Sequence, residues 1–174
     1  MLNAMINELE DPLLMHNGCL ILCQFQIPSD VMFDFKKLVI ILLHIVSETS
    51  SQESFNQLAG IYLLNNFVCQ VDSEVKLLVG SMGAVERMLE IIMEKLELGS
   101  CDYMLENVWS TMWNVTDQTP VNCQRFLAGG GMSLFLQCKA SDACSLCLMS
   151  YCVVLSGLFV CIIYILFSYL ANVP

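Results

Sequence analysis

Apolar positions recur along this chain at three- and four-residue intervals, the period of a helix with one buried face, and no credible period-two alternation competes with it. The densest stretch runs from Leu105 to Pro120. Met104, Val108 and Met112 form one row at i, i+4 and i+8, and Leu105, Trp109 and Trp113 form the row beside it. Asn107, Ser110, Thr111 and Asn114 interrupt the face in register. This helix is expected to begin at Ser100 and to end at Thr116 or Asp117. Thr119 then caps a new helix, with Pro120 in its first position. Asp117 is out of place there, because a carboxylate at a helix C-terminus opposes the macrodipole by roughly a few tenths of a kcal/mol. It calls for another explanation, either capping of the next turn or a cationic ligand.

The same reading predicts a helix over Leu13–Phe25, stopped before Pro28. A second starts from Ser29 or Asp30 and runs to about Val46, with Leu38–Ile45 apolar nearly all round and therefore buried. Ser50 and Glu53 have capping-box spacing for a helix through Val68. Asp72 opens a short helix that stops near Gly80. Val85, Met88, Leu89, Ile92 and Leu96 then mark an amphipathic helix with Glu86, Arg87, Glu90 and Glu94 outside, ended by Gly99. The methionines Met82, Met88, Met93, Met104 and Met112 read as core filling.

The pattern repeats. Gly83 and Gly131 each introduce a helix and lie 48 residues apart, and Asn66 and Asn114 are separated by the same 48. A weaker earlier copy sets Cys23 46 residues before Cys69. Three-helix units of this length belong to the armadillo or HEAT class. Such units bury nearest-neighbour faces and present one concave binding surface. The expected fold is all-α, a short armadillo/HEAT-like solenoid of about three units over residues 1–139. A divergent apolar tail follows over 140–174, read as an apolar C-terminal helix. After Asp142 no charged residue occurs, and Tyr151–Leu170 is long and apolar enough for a membrane span. Alternatively the tail packs on the last repeat or is a divergent terminus with no structural role.

Composition narrows the function classes. Net charge is −10 with only seven Lys and Arg, which excludes nucleic acid as a partner, since that affinity is built from cationic contacts to phosphate. Ten cysteines sit mostly in apolar helical runs, and Met1–Asp11 has no signal-peptide character, so the thiols are read as free in a reducing compartment. Cys144 and Cys147 form a CxxC without a second ligand pair, a poor zinc signal. His16 and His44 lack ligand-spaced partners, and Gly129-Gly130-Gly131 reads as an inter-helix turn rather than a phosphate loop. Asn114-Val115-Thr116 is a glycosylation sequon by pattern, but it falls on a helix. No set of nucleophile, base and orienting acid stands out, so no cofactor, metal or enzymatic activity is expected.

The run Trp113-Asn114-Val115-Thr116-Asp117-Gln118-Thr119-Pro120-Val121-Asn122-Cys123, with Phe126-Leu127 and Gly131 to Leu136 after it, resembles the Zyg-eleven and Zer-one family, in particular its vertebrate Zyg-eleven homologs. The likeness is dense from about Glu106 to Cys138, extends back to about Phe25, and stops near Lys139. Members of that family carry an elongin/cullin-box segment, leucine-rich repeats and armadillo-like repeats. They act as substrate receptors of cullin-2 RING ubiquitin ligases, and their armadillo-like repeats recognise proteins with an N-terminal glycine. The resemblance therefore implies a non-catalytic adaptor in the ubiquitin-conjugation pathway, cytoplasmic or nuclear, with Trp113, Asn114 and Asp117 as peptide-binding residues. Spacing is compatible with that role, because the three cluster at one helix end. A carboxylate and an amide oxygen accept from an α-ammonium, and an indole face beside them offers cation–π attraction. The same spacing also fits a core Trp113, a backbone-bonding Asn114 and a turn-capping Asp117. No leucine-rich repeats or cullin box are recognisable here, and the tail replaces further repeats, so the expectation is a receptor fragment or isoform with an incomplete pocket that does not itself recruit cullin-2. The competing expectation is a helical scaffold anchored in a membrane through Tyr151–Leu170.

Overall fold

Caps and stops in the chain divide its apolar stripes into α1 (Leu2–Asn7), α2 (Pro12–Gln24), α3 (Phe35–Ser47), α4 (Ser54–Val68), α5 (Ser73–Ser81), α6 (Ala84–Glu97), α7 (Tyr103–Thr116), α8 (Pro120–Ala128) and α9 (Gly131–Ala140). The structure, a computed structural model, describes residues 1–24, 35–47 and 54–140. Among them no strand occurs, and the architecture is the expected all-α helical solenoid class. The proposed caps Ser29, Asp30, Ser50 and Glu53, the Cys144/Cys147 pair and the apolar stretch Tyr151–Leu170 all fall outside the described residues. No helix within them is long and apolar enough to cross a membrane.

The helices fall into two units, one over Met1–Gln70 and one from Val71 on. In the first, α3 buries Leu38, Val39, Ile41, Leu42, Ile45 and Val46, while Ile40 reaches solvent, so its apolar run is not buried all round. It packs against α4, where Gly60 lets the two backbones approach: a Cβ there would lie 3.0 Å from methyls of both Ile45 and Val46. Met5 of α1 fills the notch left by Gly18 on α2. His16 donates from Nδ1 to Asn56 Oδ1 at 2.8 Å, tying α2 to α4, and His44 of α3 donates from Nε2 to the Leu9 carbonyl in the turn between α1 and α2 at 3.0 Å.

The second unit is organised on α6, which packs against α5, α7, α8 and α9. Its buried stripe is Val85, Met88, Leu89, Ile91 and Ile92, with Glu86, Glu90 and Glu94 outside and Arg87 bridging Glu90 at 2.9 Å and Glu94 at 3.4 Å. Of the methionines expected as core, Met88, Met104 and Met112 are buried, whereas Met93 lies on the outer face. The pair α5–α6 recurs 47 residues later as α8–α9. Gly83 turns the first corner with φ +94° and Gly130 the second with φ +76°. The equivalent of Gly83 is thus Gly130, one residue earlier than the 48-residue alignment expects. Gly131 is glycine for a different reason: a Cβ there would sit 2.2 Å from the Phe126 ring.

Trp109 is the core tryptophan, 3% exposed, with edge-on contacts to Phe126 at 6.5 Å and Phe135 at 5.8 Å. Cys138 is buried near it; burial pushes the Cys138 thiol up and the Trp109 N–H works partly against that. Burial pushes the Cys19 thiol up to about 12, with Cys23 adding to the effect, which leaves it inert as a nucleophile. Cys19, Cys23, Cys69, Cys123 and Cys138 are free, but Cys101 is disulfide-bonded, so the reading of free thiols does not hold at that position.

The start of α7 also differs from expectation. Its cap is Asp102, not Ser100: Asp102 Oδ1 accepts from the Leu105 N–H at 3.0 Å, and Ser100 donates to Asp102 Oδ2 at 3.1 Å. Ser100 thus supports the cap rather than forming it. Lys95 completes the cluster by donating to Asp102 Oδ2.

The most constrained polar group is Asn122 of α8, which is fully buried. Its Nδ2 donates to the Lys76 carbonyl of α5 at 2.8 Å and to the Val115 carbonyl of α7 at 2.9 Å. Gly80 makes room for it, since a Cβ at that position would lie 1.9 Å from Asn122 Oδ1.

Asn122→Ala removes two buried hydrogen bonds at once and is expected to lower unfolding stability by about 1–3 kcal/mol, measured by urea titration; a change below about 0.5 kcal/mol would show that the three helices do not need this clasp. A second outcome concerns pH. Burial raises the Asp102 carboxyl pKa, but the hydrogen bonds from Lys95 and Leu105, the Lys95 charge and the Ser100 hydroxyl outweigh it, so Asp102 ionises below its usual range. A folded-state pKa below the unfolded value of about 3.9 gives stability that is complete above that value and is lost as pH falls through the folded one. Thermal melts of the parent should therefore fall more steeply below about pH 4 than those of Asp102→Asn, and parallel acid limbs would remove Asp102 from the account.

Candidate peptide-binding site

The last turn of α7 carries Trp113, Asn114 and Asp117, and the structure leaves all three half-buried. Trp113 is therefore not the core tryptophan of its stripe; that place is Trp109's. α7 ends at Thr116, whose hydroxyl turns back to the Met112 carbonyl at 2.8 Å and the Trp113 carbonyl at 3.1 Å. Asp117 occupies the C-cap, with its N–H on the Trp113 carbonyl at 2.9 Å. Gln118 follows at φ +56°, which swings the chain into α8.

Thr119 holds the N-cap position of α8 with Pro120 next, as the sequence indicates, but its hydroxyl does not cap α8. It donates instead to the Val115 carbonyl of α7 at 2.7 Å. Together with Asn122 on Val115 and Cys123 Sγ on the Thr116 carbonyl at 3.2 Å, it satisfies the last two of the C-terminal carbonyls that a helix leaves open. The end of α7 is thus held by α8 rather than by solvent.

Asp117 does not cap the next turn either. Its Oδ2 accepts from Lys76 Nζ of α5 at 3.0 Å. The Lys76 side chain is 9% exposed and that of Asp117 37%, so the pair has a buried cationic end and a half-open anionic end. The ammonium resolves the oddity of an acid at this helix terminus, because it offsets both the carboxylate and the negative end of the dipole. Lys76 was not legible as a site residue. It lies 41 residues upstream, and the one local sign was a lysine among the apolar positions of a short helix.

Chemically the end of α7 is one wall: a carboxylate that already holds an ammonium, an amide one turn before it, and an indole on the same turn. Among the described residues no group of His, Cys, Asp and Glu could hold a metal ion.

These features describe an all-α helical-repeat protein with a polar, cation-accepting notch at an inter-helix corner. The family model for the C-terminal domain of Protein zer-1 homolog-like proteins matches residues 1–145, and the chain belongs to that family. It is 48% identical over 138 residues to Protein zer-1 homolog of Drosophila melanogaster, which covers 79% of this chain and 17% of that protein. It is 45% identical over 122 residues to Protein zer-1 homolog of Homo sapiens, covering 70% and 16% respectively, and 38% identical over 138 residues to Zyg eleven-related protein 1 of Caenorhabditis elegans, covering 79% and 15%. The chain spans about a sixth of the length of these relatives. No solved structure matches it.

The ion pair can be measured. Asp117→Ala leaves Lys76 mostly buried without its counter-charge and should lower stability by about 1–2 kcal/mol, a figure reduced for the exposure of Asp117. The double variant Lys76→Met/Asp117→Ala should recover most of that loss. Additivity within about 0.3 kcal/mol in the double-mutant cycle would mean the two charges are not coupled.

Proposed function

We propose that this chain is part of the substrate-recognition region of a cullin-2 RING ubiquitin ligase receptor, a non-catalytic adaptor that reads proteins by an N-terminal glycine. The observation that carries the reading is the match of residues 1–145 to the zer-1 homolog-like family, together with the ammonium already seated on Asp117. An α-ammonium and a lysine ammonium are the same kind of donor, so a carboxylate that receives one is chemically suited to the other. Trp113 would wall the pocket against side chains larger than hydrogen, and Asn114 would accept from the amine beside Asp117.

The wall is incomplete within these 174 residues. An α-ammonium has three N–H donors to satisfy once desolvated, which requires acceptors from more than one side. After Asp142 the sequence contains no Asp or Glu to supply another carboxylate. In the full-length family the remaining acceptors would come from further repeats, and elongin and cullin-2 would engage through segments outside the matched region.

Tested alone, these 174 residues should bind a Gly-initiated fluorescent peptide at least tenfold more weakly than a full-length relative, about 1.4 kcal/mol or more. The residual binding should vanish when the peptide is N-acetylated. Fluorescence polarisation reads both. Affinity equal to that of the full-length relative would show that one wall suffices, and binding indifferent to acetylation would remove the ammonium from the recognition.

A further inference from the structure

We propose that Lys76 sets the affinity threshold of the Asp117 notch, acting as an internal occupant that an incoming ammonium must displace. The inference rests on the peptide-binding reading above and adds to it the group against which a ligand competes.

Three observations support it. Lys76 Nζ lies 3.0 Å from Asp117 Oδ2, and Asp117 is the only carboxylate it meets among the described residues. The backbone of Lys76 is not free to drift, because its carbonyl accepts from the buried Asn122 at 2.8 Å, and the same Asn122 holds Val115 two residues before Asp117. Finally, the carboxylate is the open end of the pair, 37% exposed against 9% for the lysine side chain, so a ligand reaches the acid from solvent while the lysine approaches from beneath.

One carboxylate cannot neutralise two ammonium groups. A ligand that places a second ammonium on Asp117 either shares the acid against like-charge repulsion or pushes Lys76 off it. Simple amines bring nothing to offset that repulsion. A peptide N-terminus can, through its backbone donors and acceptors and a contact with Trp113. Lys76 thus filters the class of cation that binds: the notch ignores free amines and admits an ammonium joined to a peptide backbone.

The test uses the whole chain with a Gly-initiated peptide and four proteins: the parent, Lys76→Met, Lys76→Arg and Asp117→Asn. Lys76→Met should bind at least tenfold more tightly than the parent, Lys76→Arg should match it, and Asp117→Asn should not bind. A second readout needs no variant. The assigned Lys76 13Cε NMR resonance of the parent should shift at saturating Gly peptide, with no change on adding the N-acetylated peptide. Asp117-dependent binding that is unchanged or weaker in Lys76→Met, or a Lys76 resonance indifferent to peptide, overturns this inference and leaves the peptide-binding reading standing. No binding even to a folded Lys76→Met, where the acid is uncovered, overturns both.

Discussion

A single buried carboxamide holds the corner between α5, α7 and α8 together. Asn122 spends both of its N–H donors on carbonyls from two other helices, one at Lys76 and one at Val115. Without it the short helix α5 would meet the end of α7 through side chains alone. With it, the residue that carries the cation and the turn that carries the anion are both tied through their backbone carbonyls to one side chain. The Lys76–Asp117 pair is therefore a consequence of a backbone arrangement fixed by α8 rather than its cause. That order matters for energetics, since a half-exposed ion pair contributes little on its own, whereas a buried amide bridging two carbonyls is costly to lose.

Much of the fold was legible because its signals are local. Asp72 caps α5 as its spacing indicated, accepting from the Val75 N–H, and Gly99 closes the segment after α6 with φ +61°. Ambiguity entered where two residues could do one job. Ser100 and Asp102 both suit an N-cap, and the carboxylate prevails because Lys95 and Ser100 support it. Gly130 and Gly131 both suit a corner, and only the left-handed backbone of the first distinguishes them. Trp109 and Trp113 share a stripe, and the nearer the helix end, the less neighbouring surface remains to cover the ring.

The site was legible as an anomaly more than as a mechanism. A carboxylate at the wrong end of a helix called for either a turn cap or a cationic ligand, and periodicity carries no information about a contact spanning 41 residues between two elements, which is what Lys76 supplies. Asn122 was equally silent: a polar residue near the start of a helix is ordinarily solvated, and only the tertiary structure shows it sealed beneath α5 and α7. Family resemblance pointed to Trp113, Asn114 and Asp117, yet it offered nothing about Lys76, which is where the structure adds most to the chemistry.

The notch that Gly80 leaves for Asn122 has a historical consequence. A side chain at position 80 would collide with the carboxamide while Asn122 is present, and shortening residue 122 first would remove the two hydrogen bonds that tie α8 to α5 and α7. Shortening residue 122 clears the space at position 80, yet filling it with a methyl group does not restore the missing donors. A change at 80 therefore waits on a change at 122, and the change at 122 is the costly one. Lineages descending from a chain with this corner would be expected to drift around the two positions rather than through them.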